Sequence, residues 1–229
     1  MGYLVLALVA GLAAVERKGF LQAMLSRPIT LAPVVGWALG DLHGGLLVAA
    51  PLELFWLGAV NLGAALPVHE ALGTAAITGG AVLSARELGG GTTPEVAILA
   101  VLLCAPLALV GRKADRLVEI WNERLAARVE DALRHHRDAV RVNLYGLVLP
   151  FAIAAVLAPV GAAVARAVIP GILRAAPAAG GPLRLGFFAF CGLACASGAK
   201  ALRARRAPQL FFAALGVAVV ALAAGRLLA

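Results

Sequence analysis

Charged side chains are scarce in this chain. Only 14% of its 229 residues are Asp, Glu, Lys or Arg, whereas soluble domains carry about 25%. Hydrophobic residues make up 62% of the chain, and its mean hydropathy is +0.93. This composition excludes a soluble globular domain and is typical of an integral membrane protein that lies in the lipid bilayer.

Strand-like alternation of polar and apolar residues over long stretches is also lacking. Several apolar runs instead approach the length of about 20 residues that a helix needs to cross hydrocarbon. The sequence therefore predicts an all-α, polytopic transmembrane helix bundle that forms one domain over residues 1–229. Residues 2–15 have no basic segment before them and no convincing cleavage site, so we expect a first helix there rather than a signal peptide.

Cysteine and histidine are few, with three and four residues. Cys104, Cys191 and Cys195 lie in apolar segments without neighbouring ligands at metal spacing, which favours core thiols. Cys191 and Cys195 stand four residues apart, so a metal or redox pair is the less favoured alternative. We expect no metal site and no cofactor.

Basic residues outnumber acidic ones by 20 to 12. They cluster in short polar stretches beside apolar spans, as the positive-inside rule requires of cytoplasmic loops, and this pattern does not favour nucleic acid as a partner. We expect residues 16–28, 112–141 and 200–206 on the cytoplasmic side and the glycine-rich segment 85–94 on the other. Residues 208–228 would then cross outward again.

Residues 112–141 form the most water-soluble segment. Apolar side chains recur in it at three- and four-residue spacing, which predicts an amphipathic cytoplasmic helix; they are Leu117, Ile120, Trp121, Leu125, Val129 and Leu133. Three alternatives are open for its apolar stripe. The segment is an ordinary cytosolic surface helix, or its stripe docks a partner subunit, or the stripe lies on the lipid headgroups.

Polar residues otherwise concentrate between residues 27 and 85, which we predict to be a substrate-holding region of broken helices. Carboxylates at membrane depth are costly and normally face a substrate or ion path. The candidate substrate-binding residues are Asp41, Glu53, Asn61, His69 and Glu70. Because Gly40 and Asp41 interrupt the apolar run, residues 29–66 are either broken spans or a re-entrant hairpin.

Short motifs in this region stand in the order and about the spacing of one family. They are Arg27-Pro28 with Gly36, Leu39-Gly40-Asp41, Leu52-Glu53 with Gly58, Leu62-Gly63-Ala64, Pro67 and Gly73-Thr74. The chain resembles the membrane subunit IIC of the mannose, fructose and sorbose type of bacterial sugar phosphotransferase system (PTS). The resemblance rests on about the first half of the chain.

The resemblance implies a multi-pass sugar permease of the bacterial inner membrane. Such a subunit acts in an oligomer with a second membrane subunit, IID, and takes up a hexose or amino sugar. The soluble carriers IIA and IIB pass phosphate from phosphoenolpyruvate to the sugar. The chain would therefore be a transport component and not an enzyme.

Glu53 and Asn61 are the first candidates for sugar contacts, because a carboxylate and an amide bind hydroxyl groups. We expect Trp37, Phe55 and Trp56 to wall the pocket around them. For Asp41, capping of a helix N-terminus is an equal alternative to sugar contact.

The resembled family has Asp or Asn shortly after the proline that corresponds to Pro67. This chain has Val68-His69-Glu70 there instead. His69 could donate a hydrogen bond to a sugar, and it also introduces a titrating group. We expect His43 to be a turn residue at a membrane face, and His135 and His136 to be solvated.

Two other functions are compatible with the same residues. The chain could keep the fold as a regulatory or uncoupled sugar-binding subunit. It could also be an unrelated proton-coupled transporter in which Asp41 and Glu53 carry the proton.

Overall fold

The computed structural model describes residues 1–19, 21, 23–58, 66–129 and 136–201, together with isolated positions between 209 and 220. These residues form eight α-helices and one short 3-10 helix, Pro177–Ala179. In chain order the α-helices are α1 Gly2–Lys18, α2 Pro28–Leu39, α3 Leu42–Trp56, α4 Glu70–Glu87, α5 Pro94–Cys104, α6 Pro106–Val129, α7 His136–Ala175 and α8 Gly180–Ala201. The predicted all-α bundle is confirmed.

Helix α4 is the axis of the bundle. All of its residues from Ala71 to Ala85 are buried, and it packs against α1, α2, α3, α5, α6 and α7. Its many small residues allow this close approach, as in other membrane helices. A Cβ atom on Gly79 would lie 2.5 Å from Leu6 Cδ2 of α1, so a larger residue there would force the Leu6 side chain to shift.

Helices α2 and α3 form an antiparallel hairpin around the break predicted at Gly40 and Asp41. Gly40 has the left-handed backbone angle φ 86°, which ends α2, and Asp41 caps α3. The helices have 12 and 15 residues, or roughly 18 and 22 Å, shorter than the roughly 30 Å of hydrocarbon. Both alternatives for residues 29–66, broken spans and a re-entrant hairpin, stay predictions, since each is compatible with this pairing of α2 and α3.

Three helical segments of the described residues are long and apolar enough to cross a membrane. They are Pro94–Ala127, Val140–Ala175 and Pro177–Ala201. Large apolar side chains on the outer face of α7, such as Val156 and Val160, are 60% and 51% exposed. An apolar exterior of this kind is what a bundle surrounded by lipid presents.

The polar segment after α5 differs from its prediction as a separate helix over 112–141. Helix α6 begins at Pro106, directly after α5, and residues 136–141 belong to α7 instead. Proline is tolerated in the first turn of a helix, so Pro106 does not stop the chain from continuing as helix. The predicted crossing over 208–228 falls outside the continuously described part of the chain.

The two ends of the bundle contain different helix ends, and we call them the basal end and the tip end. The basal end contains the end of α1, the start of α2, the end of α3 and the start of α4. The tip end contains the hairpin turn and the connection between α4 and α5. Three helices, α2, α3 and α4, link the 16–28 segment with the 85–94 segment.

Candidate functional site

A cluster of three charged side chains joins three helix ends at the basal end. Arg27 precedes α2, Glu53 lies in the last turn of α3, and Glu70 begins α4. Arg27 Nε donates to Glu53 Oε1 at 3.0 Å, and Arg27 Nη1 donates to both Glu70 oxygens at 3.3 and 3.4 Å. Glu53 Oε2 also accepts from the Ile29 backbone N–H at 3.2 Å. One guanidinium therefore holds α2, α3 and α4 together.

The cluster carries two carboxylates for one guanidinium and is largely withdrawn from water. The side chains of Arg27, Glu53 and Glu70 are 24%, 17% and 9% exposed. Although burial lowers the pKa of Arg27, its hydrogen bonds and ion pairs with Glu53 and Glu70 raise that pKa above its usual value. Charged donors and acceptors at such a site bind hydroxyl groups more strongly than they would in water.

Two of the predicted site residues, Glu53 and Glu70, are thus brought to the same partner. That partner, Arg27, was not among the predicted site residues, although the motif Arg27-Pro28 contained it. The paired residues are 26 and 43 positions apart in the sequence, so no short-range spacing pattern could predict these ion pairs. Asn61 lies outside the described residues, and its contact with a sugar stays a prediction.

Asp41 lies at the tip end, away from this cluster. Its Oδ1 accepts from the Gly44 backbone N–H at 2.8 Å. Its Oδ2 accepts from the backbone N–H and the hydroxyl of Thr92 at 2.8 and 2.7 Å. The capping alternative is therefore the role that the structure gives Asp41, while contact with a sugar stays a prediction.

His69 is buried against α6 and belongs to a second polar cluster. Its Nδ1 caps α4 by accepting from the Leu72 backbone N–H at 3.2 Å. Asp115 of α6 is 2% exposed and pairs with Arg17 at 2.8 Å and Lys18 at 3.1 Å. Burial above all, and then the positive charges of Arg17 and Lys18, lower the pKa of His69 to about 4, and Asp115 opposes this shift. His69 is therefore neutral at physiological pH.

This pKa predicts a loss of stability in mild acid. Unfolding restores the ordinary pKa of 6.5, whereas His69 in the fold stays neutral down to about pH 4. The unfolded state therefore binds the extra proton in this window, so stability is complete above pH 6.5 and falls as the pH approaches 4. The loss from this group is ~1.4 kcal/mol per pH unit and roughly 3 kcal/mol in total.

The measurement is the thermal midpoint of the purified protein between pH 7.5 and pH 4.5. We expect His69→Asn, which keeps an N-cap acceptor, to flatten this dependence. The rest of the chain is unchanged in the variant and gives the background slope. An equally steep slope in both proteins would contradict the assignment to His69.

The aromatic residues predicted as pocket walls are not all together. Trp37 points outward from α2 and is 72% exposed, whereas Trp56 is buried. Phe55 and Trp56 pack at a ring separation of 5.9 Å and line an apolar cavity of about 640 Å³ between α3, α5, α6 and α8. The prediction for Trp37 as a pocket wall is therefore not supported. His43 is exposed, but it lies in the first turn of helix α3 and not in the turn before it.

The sequence matches one protein family over residues 1–202 and two individual proteins over shorter stretches. Residues 1–202 match the family described as the PTS system sorbose-specific IIC component. "Putative N-acetylgalactosamine permease IIC component 2" of Escherichia coli strain K12 is 39% identical over 74 residues, which are 32% of this chain and 51% of that protein. The fructose permease IIC component of Bacillus subtilis strain 168 is 31% identical over 97 residues, 42% of this chain and 35% of that protein. The alignments thus span about half and about a third of these relatives.

Two solved structures share the fold over 100% of this chain and 95% of their own. The first, described only as "Structure of membrane protein", has a TM-score of 0.66 at 20% identity. The second is a cryo-electron microscopy structure of the mannose transporter ManYZ in complex with microcin E492, with a TM-score of 0.57 at 19% identity. At these low identities the structural similarity establishes only the fold. Membership of the family rests on the sequence match over residues 1–202.

Proposed function

Since the chain belongs to the family of PTS sorbose-specific IIC components, we propose that it is the IIC subunit of a phosphoenolpyruvate-dependent sugar PTS. It binds a hexose or amino sugar and moves it across the membrane. A partner IIB subunit then phosphorylates the sugar. The chain itself is a transport component, and its relatives are named permease components.

The partners in this proposal are the membrane subunit IID and the soluble carriers IIA and IIB. The complex lies as an oligomer in the bacterial inner membrane, which this chain crosses several times. One structural neighbour belongs to the mannose transporter ManYZ, which supports a permease in which a chain of this fold takes part. The three apolar helical segments support a multi-pass arrangement.

The observation that carries the proposal is the Arg27 cluster with Glu53 and Glu70. A neutral sugar offers hydroxyls that both donate and accept, and the cluster supplies both functions in a partly buried place. The family match over residues 1–202 argues against the alternative of an unrelated proton-coupled transporter.

Uptake by membrane vesicles tests the proposal. The vesicles contain this chain and a IID subunit, with and without phosphoenolpyruvate and the soluble carriers. Radiolabelled sorbose, fructose, mannose and N-acetylgalactosamine serve as probes. Sugar phosphate that appears inside only with phosphoenolpyruvate supports a coupled permease, whereas binding without phosphorylation supports the uncoupled or regulatory alternative.

The site assignment predicts which variants lose sugar. We expect Glu53→Gln and Asn61→Ala each to weaken binding about 10-fold or more, since each removes a hydrogen bond to a hydroxyl, and the first also removes charge. His135→Ala changes a residue expected to be solvated and should bind normally. Equal losses in all three variants, measured as dissociation constants in the same vesicles, would refute the assignment.

A further inference from the structure

Three buried hydroxyl groups on α4 have no hydrogen-bond partner in the described part of the chain. They belong to Thr74, Thr78 and Ser84, and each residue is 0% exposed. A hydroxyl in a helix usually bonds to the carbonyl one turn earlier. A buried polar group without a partner lowers stability, so each such group needs an explanation.

Two of these hydroxyls lie on a stripe that begins at the charged cluster. Glu70, Thr74 and Thr78 follow each other at four-residue spacing, and such residues share one face of a helix. Glu70 is bound by Arg27. From Glu70 the stripe enters the bundle by eight residues, which is ~12 Å along the helix axis.

The side of α4 opposite the stripe is occupied by other helices. A Cβ atom on Gly79 would lie 2.5 Å from Leu6 of α1, and one on Gly80 would lie 2.8 Å from Ala165 of α7 and 3.5 Å from Cys104 of α5. Gly79 and Gly80 are about 140° and 120° from the centre of the stripe around the helix. Helix α4 also packs against α2 and α3. Ile77 and Ala81, which flank the stripe on α4, belong to the same buried apolar cluster as Val48 and Leu52 of α3, and from this we infer that the α2–α3 hairpin covers the stripe.

Polar links between the hairpin and α4 occur only at the two ends of the contact, among the residues the structure describes. At the basal end Arg27 binds Glu70. At the tip end Arg86 of α4 donates to the Leu39 carbonyl. Between these ends the hydroxyls of Thr74 and Thr78 make no bond to the hairpin. Separation of the hairpin from α4 would thus uncover free hydroxyls next to Glu70.

We propose that Thr74 and Thr78 are sugar-binding residues, which contact the hydroxyls of the sugar once the hairpin moves away from α4. They extend the Arg27 cluster into one continuous site along α4. A threonine hydroxyl donates and accepts one bond at the same time, as a sugar hydroxyl does. This inference rests on the proposed function, since it assigns further contacts for the same substrate.

Isosteric variants separate this role from a structural one. Thr74→Val and Thr78→Val keep the shape and remove the hydroxyl, so the thermal midpoint should stay the same or rise. The dissociation constant should nevertheless increase about 5- to 20-fold for each variant, as expected for one lost hydrogen bond. The probe is whichever of radiolabelled sorbose, fructose, mannose or N-acetylgalactosamine the wild-type vesicles bind most tightly. Thr78→Ser retains the hydroxyl and should bind within about 2-fold of wild type.

Ser84 provides the matched control. It is on the same helix, equally buried and equally without a partner among the described residues, but it lies six residues, or ~9 Å, beyond Thr78 and about 80° around α4 from the centre of the stripe. Ser84→Ala should raise the thermal midpoint or leave it unchanged, with normal sugar binding. Comparable loss of binding in Ser84→Ala would overturn the proposal, because the effect would then not depend on the stripe.

The remaining outcomes separate failure of this inference from failure of the proposed function. If Glu53→Gln loses sugar while both valine variants bind like wild type, Thr74 and Thr78 are not contacts and only this inference fails. If wild-type vesicles bind none of the four sugars, the proposed function fails and this assignment fails with it.

Discussion

Arg27→Gln is expected to lower sugar binding by about 100-fold and to destabilise the protein. The change leaves Glu53 and Glu70 facing each other with side chains only 17% and 9% exposed. Removal of one partner from a buried ion pair costs roughly 3–5 kcal/mol, since the remaining charge is uncompensated. The loss of the guanidinium also removes charge-assisted donors that suit sugar hydroxyls.

The measurements for Arg27 are the thermal midpoint in detergent and the dissociation constant in vesicles. Arg27→Lys keeps the charge without the fork geometry, so it should be intermediate in both. Arg27→Gln combined with Glu70→Gln should regain stability without regaining binding, because one unpaired carboxylate is then neutral. Normal sugar binding by Arg27→Gln would show that the cluster only stabilises the packing of α2, α3 and α4 and does not bind sugar.

Gly45→Ala is expected to open or unfold the α2–α3 hairpin. An added Cβ would lie 2.5 Å from the Ala32 carbonyl oxygen and 3.0 Å from Pro33 Cα. Both are backbone atoms, so no side chain can turn away to make room. We expect a destabilisation of roughly 2–4 kcal/mol, at the upper end of what overpacking costs.

The thermal midpoint of the purified variant tests this expectation. Gly181→Ala is the matched control, because Gly181 lies in α8 and a Cβ there meets nothing within 4 Å. Alanine favours a helix over glycine by up to about 1 kcal/mol, so the control should be neutral or slightly stabilised. An unchanged midpoint for Gly45→Ala would contradict the close approach of α2 and α3.

The local features of the chain were predictable from sequence. Membrane location and helical class follow from composition, because hydrocarbon demands long apolar helices with their own hydrogen bonds. The break at Gly40 was predictable because glycine adopts the left-handed backbone that ends α2. Even the membership in the PTS family was contained in short motifs between Arg27 and Thr74.

The boundaries of the polar helices were not predictable in the same way. The pattern of residues 112–141 predicts one helix, whereas residues 112–129 belong to α6 and residues 136–141 to α7. An amphipathic pattern reports which face is buried, and it does not report whether a helix continues from the apolar one before it. Only packing decides where such a helix begins.

What the sequence by itself determined is the type of protein and the stretch that matters. Tertiary structure alone decided the pairing of Arg27 with Glu53 and Glu70, because residues 26 and 43 positions apart meet through the arrangement of three helices. It also decided that Asp41 caps α3 and bonds to Thr92, and that His69 packs against α6. A polar residue in an apolar run signals that it needs a partner, and only the fold determines which partner lies within hydrogen-bonding distance.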